Sequence, residues 1–115
     1  MGYRVMDTNI ESEDPRLFIV KRTPYSLVAR YYPEIISNSL SSKRVEYTIR
    51  VNKFSIVISQ LRFNWAGSGY SIDEYFVSKE VHDEVKDRIV NIKTADDLFS
   101  FFDYLEEKAY EVVRK

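Results

Sequence analysis

The stretch Val45-Glu46-Tyr47-Thr48-Ile49-Arg50-Val51-Asn52-Lys53-Phe54-Ser55-Ile56-Val57-Ile58-Ser59-Gln60 alternates apolar and polar side chains around a polar centre. Alternation with a period of two marks strands with one covered face, and Asn52-Lys53 marks the turn between them. A two-residue turn there pairs Val51 with Phe54, Ile49 with Ile56, Tyr47 with Ile58 and Val45 with Gln60. One face is then apolar except for Gln60 and belongs to the core. The other face collects Arg44, Glu46, Thr48 and Arg50 against Leu61, Ser59, Val57 and Ser55. Lysine is a poorer second turn residue than glycine, which leaves room for a longer turn.

Towards the C-terminus, Ala66-Gly67-Ser68-Gly69 signals a turn, and Tyr70 to Val77 reads as a third strand of a meander. Ser78 can cap a helix carrying Val81, Val85, Ile89 and Ile92 on one stripe. Thr94 and Asp97 have capping-box spacing and open a last helix, with the stripe Leu98, Phe101, Phe102, Leu105, Ala109 and Val112. Towards the N-terminus, Tyr3 to Met6 and Leu17 to Val20 read as strands joined by a polar, acidic loop. Thr23-Pro24 has the form of a helix start, a capping hydroxyl followed by proline at the first helical position. Leu27, Val28, Tyr31, Ile35 and Ile36 continue it at helical spacing, with a kink at Pro33 and an exit loop from Ser37 to Ser42.

The expected fold is therefore α+β in a single domain over residues 1–115. An antiparallel β-meander is packed on one face by helices in the order β-β-α-β-β-β-α-α. In element order, its α-β-β-β-α centre resembles the double-stranded-RNA-binding domain. That family opens its last helix with a lysine cluster, where this chain has Ser78-Lys79-Glu80-Val81-His82.

Hydrophobic residues make up 44% and aromatic residues 15% of the chain, enough apolar material to build a core. No run approaches the roughly 20 apolar residues of a membrane span, and the polar start lacks an apolar signal core. A cytoplasmic protein with no membrane partner is expected. The absence of cysteine removes disulfides, thiolate nucleophiles and the common structural zinc sites. The single histidine, His82, cannot complete another zinc site, so no metal or cofactor is expected. One glutamine beside 30% charged residues fits the composition of a thermophile or a virus of one.

The net charge of -1 is unevenly laid out. Residues 1–14 carry one positive and four negative charges, residues 15–63 nine and two, and residues 64–115 seven and twelve, giving -3, +7 and -5. A basic middle between acidic ends is either neutralised within the fold or offered to an anionic partner. Lys43, Arg44, Arg50, Lys53 and Arg62 crowd the hairpin, with Phe63 and Trp65 just beyond. Cations that track phosphates beside aromatics that stack on bases are what a single-strand nucleic-acid surface needs. The last helix also carries Phe99, Tyr104 and Tyr110 off its main stripe, which reads as a partner or homodimer interface.

Catalytic patterns are thin. His82 sits in a charged helical run, where a solvated face explains it. Asp73 with Glu84-Val85-Lys86 matches the pattern of a metal-dependent nuclease, which requires Glu84 and Lys86 on a strand beside Asp73. On a helix, residues two apart face away from each other. The sequence thus points to a non-catalytic interaction protein that binds another protein or itself, with nucleic-acid binding through residues 43–65 as the alternative.

Overall fold

A computed structural model describes residues 12–33, 43–64 and 67–115 of the chain. The strands are β1 (Leu17–Thr23), β2 (Ser26–Tyr31), β3 (Arg44–Val51), β4 (Ser55–Asn64), β5 (Gly67–Phe76) and β6 (Glu111–Arg114). Helices α1 (Lys79–Val90) and α2 (Ala95–Lys108) lie between β5 and β6 in the chain. All six strands form one antiparallel sheet in sequence order, so the class is α+β with a meander at its centre. The strand expected at Tyr3 to Met6 and the loop at Ser37 to Ser42 lie outside the described residues.

The central hairpin forms, with a corrected register. Val51 lies opposite Ile56, Ile49 opposite Ile58, Tyr47 opposite Gln60 and Val45 opposite Arg62. The expected two-residue turn does not form: its favoured geometries put a central residue at positive φ, for which Lys53 is poorly suited. No described residue other than glycine has positive φ. The turn is longer instead, closed by the Asn52 N–H on the Ser55 carbonyl at 2.8 Å, and Phe54 stays 68% exposed. The pairing thereby moves by two residues. A shift of two keeps every side chain on its face. Tyr47, Ile49, Ile56 and Ile58 are buried as expected, while Arg44 and Arg50 point the other way.

The helix expected from Thr23-Pro24 is not there. Residues Ser26 to Tyr31 form β2, paired on one side with β1 and on the other with β3. The Thr23 hydroxyl accepts the Tyr25 N–H at 3.1 Å, so the capping signal is used in a hairpin turn at Pro24-Tyr25. Proline at 33 limits any helix from Pro24 to little more than two turns, too short to hold without extensive packing. As a strand, the same residues bury Leu27 and Ala29 completely against Ile49 and Tyr47. The resemblance to the double-stranded-RNA-binding domain in element order ends with that helix.

The C-terminal helices follow their signals closely. Ser78 accepts the Val81 N–H, and Thr94 with Asp97 forms the reciprocal capping box. The last helix stops at Lys108, however, and the expected stripe residue Val112 lies in β6 opposite Tyr75. The β-branched pair Val112-Val113 suits a strand, and the edge of β5 supplies unpaired backbone groups for it. Leu27, Ile49 and Ile56 of the sheet share one core with Val85, Ile89 and Phe101 of the helices.

Two charged residues lock the layers together. The Arg22 guanidinium donates to the Ile89 and Ile92 carbonyls at 2.5 and 2.6 Å, closing the C-terminal end of α1. Across the same α1–α2 corner, Asp14 Oδ2 accepts the Ala95 N–H at 2.9 Å and caps α2 from a distant part of the chain.

β6 is fastened by a further network. The Tyr75 hydroxyl donates to Glu106 Oε2 at 2.7 Å, Arg114 Nη2 reaches both Glu106 oxygens at 2.8 Å, and Arg114 Nη1 reaches Asp73 at 3.0 Å. The guanidinium, and after it the Tyr75 hydroxyl, hold the Glu106 carboxyl below its usual range. Burial and the neighbouring Glu106 push the Tyr75 hydroxyl well above the ordinary phenol range. A carboxyl whose pKa is depressed on folding stabilises the fold above its ordinary pKa, and that stability is lost as pH falls through the folded value. Glu106→Gln should therefore flatten the acid side of a plot of Tm against pH. An acid limb identical to that of the unaltered chain would show that the network carries no stability.

A candidate binding face on the open side of the sheet

Strand parity places Arg44, Glu46, Thr48 and Arg50 of β3 on the face opposite the buried core positions. Beside them stand Val57, Ser59, Leu61 and Phe63 of β4, then Tyr70, Ile72, Glu74 and Phe76 of β5. A trough of about 450 Å³ on this face is lined by Val57, Leu61 and Ile72, with Arg50, Tyr70 and Glu74 also against it; Arg44 and Phe63 lie beyond it. The cations thus follow one strand and the apolar and aromatic groups follow the next two.

The polar groups of this face divide into two sets. Arg30 pairs with Glu46 at 3.2 Å, Lys115 with Glu74 at 3.7 Å, and the Ser55 hydroxyl donates to Glu74 at 2.6 Å. The Arg44 guanidinium lies 4.1 Å from the Phe63 ring centroid, a cation–π contact that orients both side chains. The Arg50 guanidinium is exposed and makes no hydrogen bond or ion pair among the described residues.

The acids of the helices pair close to home. Among the described residues, their ion pairs go to Lys79, Lys86, Arg88 and Arg114, all in the C-terminal part of the chain. Counting charges, α1 carries three positive and four negative, and α2 one positive and five negative, so the helical layer is -5. The helical layer is thus acidic, while Arg44 and Arg50 stand on the open face.

The residues singled out from the sequence do not all gather here. Arg44 and Arg50 share the open face. Arg62 lies on the other face, donating to Gln60 at 2.8 Å and Ser71 at 3.4 Å. Lys53 is at the hairpin tip with its ammonium 5.4 Å from the Phe54 ring centroid, Lys43 immediately precedes β3, and Trp65 lies outside the described residues.

On the helix side, Phe99 packs edge-on against Tyr31 at 5.0 Å and also meets Tyr47 and Phe102. Tyr104 is buried, its hydroxyl donating to Glu84 at 2.6 Å beneath the Arg88 guanidinium. Burial and the Glu84 carboxylate push that hydroxyl up to about 12. Tyr110, by contrast, is 71% exposed. The surplus aromatics of α2 are thus mostly absorbed inside the domain, and Phe99, Tyr104 and Tyr110 do not form one outer face.

The nuclease pattern is not assembled. Glu84 and Lys86 lie on α1, whereas Asp73 is in β5 and paired with Arg114. Among the described residues, no group of three or more acidic, histidine or cysteine side chains is placed to hold a metal ion. His82 Nε2 lies 2.6 Å from the Asn52 carbonyl oxygen and ties α1 to the hairpin tip. A cleft between α1 and α2 is lined by Glu84, Asp87, Arg88 and Asp97, but Glu84 serves Tyr104 and Asp97 serves the helix cap.

Fold and face together define a six-stranded α+β domain with an aromatic and cationic surface on its sheet. No family model, curated protein or solved structure matches the chain.

Proposed function

We propose that this protein is a non-catalytic binding module, with its helices on one side of the sheet, that takes a polyanionic partner on the open face. The observation that carries this reading is Arg50, exposed and unpaired among the described residues, on the same strand and face as Arg44. Cations left unneutralised beside an apolar floor are a surface for an anion that also has apolar parts. The two acids in this region are matched by Arg30 and Lys115.

Elution from immobilised heparin tests the reading. Arg44→Glu and Arg50→Glu should each elute at clearly lower salt, while Lys79→Glu, on the acidic helical side, should elute with the unaltered chain. Identical elution of all four proteins would refute it.

A second reading, association of two copies across the same face, is favoured by the apolar Leu61 and Ile72 within it. Sedimentation equilibrium decides that point. A dimer that Ile72→Glu dissolves supports self-association, and a monomer at high micromolar concentration rejects it.

A further inference from the structure

Building on the open face as a polyanion surface, we infer that its occupant is a single-stranded nucleic acid lying along β3, β4 and β5. The backbone of such a strand is anionic throughout, and its bases present flat apolar faces to one side. The open face has the matching layout. Arg44 and Arg50 stand on β3, six residues apart and so about 20 Å along the strand, enough to engage more than one phosphate. Immediately beside that line, Phe63, Leu61, Tyr70 and Ile72 offer flat and apolar contact surface from β4 and β5.

Tyr70 is 59% exposed, so its ring is available for a base to stack on. Phe63 already holds a guanidinium over its ring, so a phosphate bound at Arg44 would sit next to a stacking platform. A duplex hides its base faces and would leave these rings without contact, whereas a single strand can splay its bases onto them. An acidic peptide would satisfy the arginines but supplies no regular run of flat rings.

Fluorescence anisotropy tests the assignment, with a short labelled single strand of mixed sequence, as DNA and as RNA, and its blunt duplex at low salt. The expected result is binding of the single strand at least about tenfold tighter than the duplex. Tyr70→Ala should weaken single-strand binding roughly tenfold, the effect of losing one stacked base. Arg50→Glu should weaken it too and lower the slope of log affinity against log salt by at least about one phosphate contact. Lys79→Glu should leave affinity unchanged.

Circular dichroism confirms that each variant is folded, since all three positions are exposed. Equal affinity for both forms with no effect of Tyr70→Ala, alongside heparin binding that still depends on Arg50, would overturn single-strand recognition. It would leave the polyanion surface standing. No binding to strand, duplex or heparin at tens of micromolar would remove both.

Discussion

Asp14→Ala should lower the stability of this domain by about 2–4 kcal/mol, because one carboxylate accepts three donors and ties the start of α2 to the segment before β1. Its oxygens accept the Ala95 N–H at the start of α2, the Arg16 N–H just before β1, and the Arg16 guanidinium. The side chain is only 11% exposed, so alanine would leave two backbone donors poorly reached by water. The Ala95 N–H, then the Arg16 N–H, hold the Asp14 carboxyl below its ordinary pKa. The stabilisation is therefore present above the usual carboxylate range and is lost as pH falls through the folded value. Urea titrations should show a large gap between the unaltered chain and Asp14→Ala at neutral pH, closing in acid. Asp14→Asn, which keeps an acceptor but no charge, should fall between them. A gap that persists unchanged in strong acid would show that the carboxylate is not the source.

Phe101→Ala should cost still more, about 3–5 kcal/mol, through lost burial and the cavity left behind. The ring is 1% exposed in the core shared by both layers. In a domain of this size that corresponds to a fall in Tm on the order of 10–20 °C. Phe102, its neighbour in sequence, is only partly buried and packs on Tyr47 at 5.0 Å. Phe102→Ala should therefore cost distinctly less. Equal losses at the two positions in thermal unfolding would mean that the core is not centred on Phe101. The phenylalanine variants should leave anion binding intact while folded, because neither ring belongs to the open face.

Local signals were legible wherever neighbouring residues alone settle the structure. Ser78, Thr94 and Asp97 cap helices through hydrogen bonds spanning three residues, and the sequence contains everything those bonds need. The inward and outward faces of β3 and β4 were legible for a similar reason: alternation survives a register error of two residues. The outward position of Arg44 and Arg50 came with it. Arg62 misled because closeness in sequence says nothing about parity, and it stands on the other face from both of them.

Other features rest on partners far away in the chain. Thr23-Pro24 begins a helix or a turn equally well, and only the flanking strands β1 and β3, which complete ladders on both sides, tip Ser26–Tyr31 into the sheet. Val112 fits a helical stripe or a strand, and the free edge of β5 selects the strand. The aromatics Phe99 and Tyr104 looked surplus because their partners, Tyr31, Tyr47 and Glu84, come from β2, β3 and α1. Asp14 offered no signal at all, since a carboxylate that caps a helix 81 residues away is indistinguishable in sequence from a loop acid.

The amino-acid sequence by itself determined the α+β class, both C-terminal helices with their caps, and the two-faced central hairpin. Each follows from side-chain periodicity or short-range hydrogen bonding. Tertiary structure alone decided that residues after Pro24 form a strand and that the chain returns to the sheet as β6. Those outcomes depend on backbone ladders and ion pairs between distant segments, whose energies no local window contains.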